Sequence, residues 1–216
     1  MKKKLLAGLG IIAICALLMF DSYAHAALVN VNLLSNSGFE DGLSNWTTDH
    51  GTLRSSDPTP HSGDYYLMGA RDGSPTSYTS QTVDLLANEF TATELDSGIF
   101  AVNYGGWQAG WLTQTDSGKI EIVLRDAGLS VLESHDLGWF YSNNSWTLLK
   151  GEVVLDQGTR YIEYGFYSQR FQGTNSDGFL DDAFVTINPV PIPATALLLG
   201  SGIVGLAGVR IRRKRK

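Results

Sequence analysis

Between Leu28 and Ile187 apolar and polar residues alternate over short stretches, with no long run of 3.6-residue periodicity. The β-rich runs are "ALVNVNLL", "DYYLMGA", "YTSQTVDLL", "GIFAVNYGGW", "KIEIVLRD", "LSVLESHDL", "WTLLKGEVVL", "RYIEYGFYSQ" and "FLDDAFVTI". Clusters such as "NSGFEDG", "RDGSP", "TDSGK", "YSNNS" and "TNSDG" punctuate them. That spacing predicts an all-β sandwich. In "KIEIVLRDAGLSVLES" Ile120, Ile122 and Leu124 share one face, and a hairpin is expected to turn at Asp126, Ala127 and Gly128. "VVLDQGTRYIEYGF" predicts a second hairpin, turning at Asp156, Gln157 and Gly158. "ATELDSG" is the one stretch expected to form a helical turn. No repeat or linker interrupts the pattern, so residues 27–188 are expected to form one domain.

Both ends break this pattern. Lys2, Lys3 and Lys4 precede a 16-residue apolar run from Leu5 to Phe20, and "SYAHA" follows with Ala24 and Ala26 in an A-x-A arrangement. This is the layout of a secretory signal peptide over residues 1–26, with a retained anchor as the alternative. The only cysteine, Cys15, lies inside that run behind Ile14, where a lipidated signal needs a small residue. The exported chain is therefore expected to hold no disulfide. Residues 189–216 comprise a proline motif (Val190, Pro191, Ile192, Pro193, Ala194), an apolar helix over 194–209 and a basic tail over 210–216. Such a helix spans roughly 24 Å at about 1.5 Å per residue, against a hydrocarbon core of ~30 Å. Snorkelling of the terminal Lys and Arg side chains extends its reach. Basic residues at both ends belong on the cytoplasmic side, which puts the middle of the chain outside.

Charge sharpens this division. The chain carries a net −6, but from Ala27 to Pro193 there are 21 Asp plus Glu against 7 Lys plus Arg, a net of −14. So acidic a domain lacks the basic footprint of a nucleic-acid binder. No nucleic-acid partner is expected.

The order of proline motif, short apolar helix and Arg/Lys cluster resembles the PEP-CTERM class of bacterial sorting signals, in its VPLPA-type variant. Ile192 stands where Leu is usual, and no glutamate separates the prolines. The resemblance implies an exosortase-type processing enzyme as partner and transient anchoring in the inner membrane. A plain single-pass anchor is the alternative.

The middle carries a second resemblance. "NLLSNSGFEDGLSNWT", "HSGDYYLMG" and "GFLDDAFVTI" occur in the order found in galactose-binding-like jelly-roll modules, which include several carbohydrate-binding module families. "GGWQAGWLTQTDSGKIEIVLRDAG" is similar to the central hairpin of related surface domains. The resemblance implies a jelly-roll β-sandwich with a structural calcium near the chain termini. By position its ligands are the carboxylates of Glu40 and Asp181 or Asp182, with carbonyls near Gly38 and Gly63. Calcium takes 6–8 oxygens, mixing carboxylates and carbonyls. Strand alternation puts Asp181 on the face of Ala183, Val185 and Ile187, the expected core face, and Asp182 on the other. Without a cation, Glu40 and Asp181 are expected to accept backbone amides instead.

Exposed aromatic rings are the other resource, since sugar rings stack on Trp and Tyr faces. Trp107, Trp111, Trp139 and Tyr141 are the candidates, with Arg170, Gln172 and Asn175 as hydrogen-bonding partners for sugar hydroxyls. Alternation puts Tyr104 on the face opposite Trp107 and Trp111, and Trp46 is expected to be buried. Catalysis has little support. His25, His50, His61 and His135 show no metal-ligand spacing, and neither G-x-S-x-G nor a P-loop occurs. The expectation is a non-catalytic protein of the envelope, outer surface or exopolysaccharide matrix, with a glycan as partner. A jelly-roll polysaccharide hydrolase or lyase and a permanently tail-anchored protein are the alternatives.

Overall fold

The computed structural model describes residues 30–190. Ten strands form two five-stranded antiparallel sheets: β1 (Thr47–Thr48), β2 (Thr52–Arg54), β3 (Tyr66–Ala70), β4 (Thr76–Asp84), β5 (Phe100–Ala109), β6 (Ser117–Arg125), β7 (Val131–Asp136), β8 (Thr147–Val154), β9 (Tyr161–Gln169) and β10 (Ser176–Pro189). One sheet runs β1-β4-β9-β6-β7 and the other β2-β3-β10-β5-β8. The eight strands from β3 onward have the jelly-roll order, and β1 and β2 extend the two sheets at one edge. The one helical turn among the described residues, α1 (Ala92–Leu95), starts at a capping box in which Thr91 and Glu94 satisfy each other's backbone N–H.

Alternation explains the core. Ile120, Ile122 and Leu124 of β6 meet Ile162, Tyr164 and Phe166 of β9 and Val102 and Tyr104 of β5, all buried between the sheets. Each such side chain contributes about 1.5–3 kcal/mol when taken from water. The N-terminal segment closes one end of the sandwich. Asn36 accepts the Asp41 N–H and donates to the carbonyls of Gly42 and Ser44, which curls the "GFEDG" turn. Phe39, at φ 62, then drops into the core 5.0 Å from the ring of Trp46, and Trp46 is buried.

Two expectations are corrected. The β6–β7 hairpin is present, but β8 and β9 do not form a hairpin: they belong to different sheets. Leu155 donates to Phe100 and Arg160 to Arg125, so the Asp156 turn carries the chain across the sandwich. The run "ALVNVNLL" contributes no regular strand over its described residues. Instead, Asn32 bonds the backbone of Ala183 and Val185 with its side chain. The expected signal peptide, Pro191 to Ala194, the expected apolar helix and the basic tail lie outside the described residues. Val190 is described, and it donates to the Ile99 carbonyl at 2.6 Å.

Candidate functional site

The first cluster gathers around β10. A bulge lies between Asp181 and Phe184, and Asp182 takes φ 45. The extra residue changes the parity that alternation assigns. Asp181 pairs with Trp107, while the neighbouring Gly106 faces Leu180 and Ala183 in the core. Asp181 therefore lies on the outer face of its sheet, fully buried beneath the 61–65 loop rather than between the sheets. The same bulge brings the two aspartates together. Asp181 accepts the N–H groups of His61 (2.9 Å), Ser62 (3.2 Å) and Asp182 (2.8 Å). Asp182 meets His61 Nδ1 at 2.6 Å and accepts the Ser62 hydroxyl at 2.8 Å. Burial pushes Asp181 up to about 6, and the Asp182 charge adds to the rise while the N–H donors oppose it.

Glu40 completes the cluster. Its carboxylate accepts the N–H groups of Asp64 (2.9 Å) and Tyr65 (3.1 Å), and a Cβ at Gly63 would overlap it. A Cβ at Gly38 would sit 3.3 Å from an Asp182 oxygen. All five residues expected around calcium thus belong to one loop cluster, in which amide and hydroxyl donors already engage the carboxylates. Among the described residues no three His, Cys, Asp or Glu side chains group closely enough to share a metal ion.

The second cluster is a groove on the outer face of the other sheet, about 370 Å³ in volume and lined by Thr115, Ser117, Trp139, Tyr141, Gln169 and Phe171. The β7–β8 connection folds back on β6, where Phe140 and Gly118 exchange two backbone hydrogen bonds of 2.8 Å. Trp139 and Tyr141 flank that bridge, 51% and 60% exposed. Phe171 rises from the β9–β10 loop opposite, 60% exposed. Ser117, which is buried, and Gln169 pair across β6 and β9 beneath the groove. Lys119 lies beyond them, 5.6 Å from the Trp139 ring centre and 4.9 Å from that of Tyr167. Burial works against its charge, but hydrogen bonds to Asp136 and Glu121 hold its pKa above the usual lysine value.

Buried Asp116 fixes the far wall. It accepts the N–H groups of Phe171 (2.6 Å), Gln172 (2.9 Å) and Asp177 (3.1 Å). Arg170, expected to meet sugar hydroxyls, donates to the carbonyls of Gly73 (2.6 Å) and Thr174 (2.8 Å) and so ties the same loop down. Gln172 is exposed in that loop and Asn175 half-buried. Trp107 and Trp111 lie on the opposite sheet, half-buried. His61 stacks on Trp107 at 3.8 Å, and the Arg54 guanidinium lies 4.2 Å from the Trp111 ring centre. Of the four expected aromatic rings, Trp139 and Tyr141 therefore share a groove. Sequence reasoning missed Phe171, Gln169 and Asp116; the signal for Phe171 was an aromatic residue inside the turn-rich stretch "RFQGTNSDG".

No family model matches this chain, and no curated protein does. Solved structures are similar in fold. The enzymatically active domain of tailspike protein 4 from bacteriophage CBA120 has a TM-score of 0.53 at 14% identity, covering 74% of this chain and 22% of that one. A cyclase from Fischerella sp. TAU has a TM-score of 0.52 at 12% identity, covering 75% and 99%. The carbohydrate-binding module TmCBM61, solved with beta-1,4-galactotriose, has a TM-score of 0.48 at 23% identity, covering 72% and 97%. The likenesses above 0.5 show a shared β-sandwich fold and nothing of activity.

Proposed function

We propose that this protein is a non-catalytic glycan-binding module, and that the groove between Trp139, Tyr141 and Phe171 holds the sugar chain. The observation that carries the reading is the grouping of three exposed rings around a largely apolar groove whose lining also includes Thr115, Ser117 and Gln169. Apolar walls with a few placed polar groups are the usual make-up of a small-ligand site. A pyranose offers an apolar C–H face to the rings and hydroxyls to such polar groups. The groove is open rather than enclosed by the fold, which suits a segment of a long polysaccharide. The acidic pair Asp181 and Asp182 faces the 61–62 loop rather than this groove, which supports a binding role over a hydrolytic one.

Export, sorting by the C-terminal signal and residence in the envelope or exopolysaccharide matrix belong to the same proposal, supported by the sequence of the two ends. An exosortase-type enzyme is the proposed processing partner. A structural calcium is its last element. The expected ligands, Glu40, Asp181 and Asp182 with carbonyls near Gly38 and Gly63, are hard oxygen donors of the kind that calcium takes, and the carboxylates would have to leave their amide partners and close up to share one ion. Asp181 and Asp182 pair with no Lys or Arg among the described residues, so a cation there would offset their charge.

The test is affinity electrophoresis of the full-length protein through gels containing soluble polysaccharides, neutral and acidic. Retardation by at least one polysaccharide, lost in Trp139→Ala and Tyr141→Ala, is expected. Free migration through every gel would sink the glycan reading.

A further inference from the structure

We propose that β8 is a self-complementary edge, through which two copies of this chain join their sheets about a two-fold axis at Gly151. This inference is independent of the glycan groove, which lies on the other sheet.

Among the described residues β8 ends its sheet and pairs only with β5. The other outer strands are less suited to pairing. β1 and β2 are two and three residues long, and β7 reads "VLESHD", with no self-complementary register. β8 is eight residues long and carries no proline or bulge to blunt it. Its hydrogen-bonding groups are oriented for a partner. Leu155 donates to Phe100 at 2.9 Å, so in the antiparallel ladder Leu149, Gly151 and Val153 also direct their backbone groups toward β5. Leu148, Lys150, Glu152 and Val154 direct theirs to the open side.

The side chains of those same four residues are exposed. They share the outer face of the sheet, since Leu148 pairs with Trp107 and Lys150 with Gly105. The sequence Leu148-Leu149-Lys150-Gly151-Glu152-Val153-Val154 is a chemical palindrome. Antiparallel pairing with its own copy, centred on Gly151, sets Lys150 opposite Glu152, Leu148 opposite Val154 and Leu149 opposite Val153. Each ion pair occurs twice, as a two-fold axis requires. Among the described residues neither Lys150 nor Glu152 makes an ion pair within the chain. Register is specified as well: a centre at residue 150 opposes lysine to lysine, and one at 152 opposes glutamate to glutamate. Gly151, on the axis, is held to glycine by its own chain, since a Cβ there would meet Leu137 and Tyr104 on the inner face. The occupant this edge fits is a second copy, with exposed Leu148 and Val154 covering each other across the junction.

Sedimentation of the full-length protein in mild non-ionic detergent tests this over a micromolar concentration range. A reversible dimer is expected. Glu152→Lys and Lys150→Glu should each weaken it about tenfold, since each creates two like-charge cross-strand pairs. Mixing the two single variants, or combining both changes in one chain, should restore the original affinity. Glu152→Pro, which removes an outward N–H without disturbing β5, should leave a folded monomer. A monomer throughout the range would overturn the proposal. So would a dimer indifferent to both charge reversals, the behaviour expected of association through the apolar termini, or a double swap that fails to restore pairing.

Discussion

The Asp116 carboxylate accepts the Phe171 N–H at 2.6 Å, across 55 residues of sequence. That contact joins a buried acid in the β5–β6 loop to an exposed ring in the β9–β10 loop. It makes one wall of the groove depend on a residue that no ligand would touch.

Asp116→Ala should therefore weaken both fold and site. Three backbone N–H groups would lose their acceptor in a buried setting, at a cost of about 3 kcal/mol. For a domain of this size the thermal midpoint should fall by roughly 6–12 °C. Calorimetry checks the first effect and affinity electrophoresis the second.

Truncating the rings should separate stability from binding. Trp139→Ala, Tyr141→Ala and Phe171→Ala each remove a side chain that is at least half exposed, so thermal midpoints should stay within a degree or two of the parent. Each should weaken glycan binding by about 1–2 kcal/mol, or roughly five- to thirty-fold in dissociation constant. Titration calorimetry with the retarding polysaccharide would measure this.

Calcium should raise the thermal midpoint of the full-length protein, and excess chelator should remove the rise. Asp181→Ala should abolish the response. It should also lower the midpoint in chelator, because three amides lose their acceptor. A parent protein whose midpoint is the same in calcium and in chelator would remove the metal and leave the carboxylates as amide anchors.

Asp177 gives a pH dependence. Burial raises its pKa, and the nearby Asp116 charge adds to the rise, while Arg54 and Arg71 oppose it. One of its carboxylate oxygens is buried without a hydrogen-bond partner. A carboxyl with a raised folded pKa holds its proton more tightly in the folded state. Its contribution is fully present below the ordinary value of about 4 and is lost as pH rises through the folded value. Asp177→Asn should therefore raise the thermal midpoint at neutral pH, and the gain should shrink to nothing near pH 4. A gain that persists in acid would point to packing rather than ionisation.

Much of the architecture was legible before any coordinates. Nine apolar runs announced strands, and eight are strands of the jelly roll, because the period-2 alternation of "KIEIVLRD" or "RYIEYGFYSQ" is imposed by one face meeting a core. The Asp126 hairpin and the turn at "ATELDSG" were equally plain, since turn chemistry acts within four residues. The Asp156 corner looked the same in sequence yet joins two sheets. Local signals specify that a chain turns, not which distant strand receives it.

The sequence by itself determined the strand content, the acidic middle between basic ends and the residue types of both clusters. Tertiary structure alone decided that a bulge turns Asp181 outward and brings Asp182 beside it. It also decided that His61 covers Trp107, and that Phe171 joins Trp139 and Tyr141 across a groove. Each of these depends on register between strands far apart in the chain. A one-residue shift reverses every side chain that follows, and no local composition records where that shift occurs.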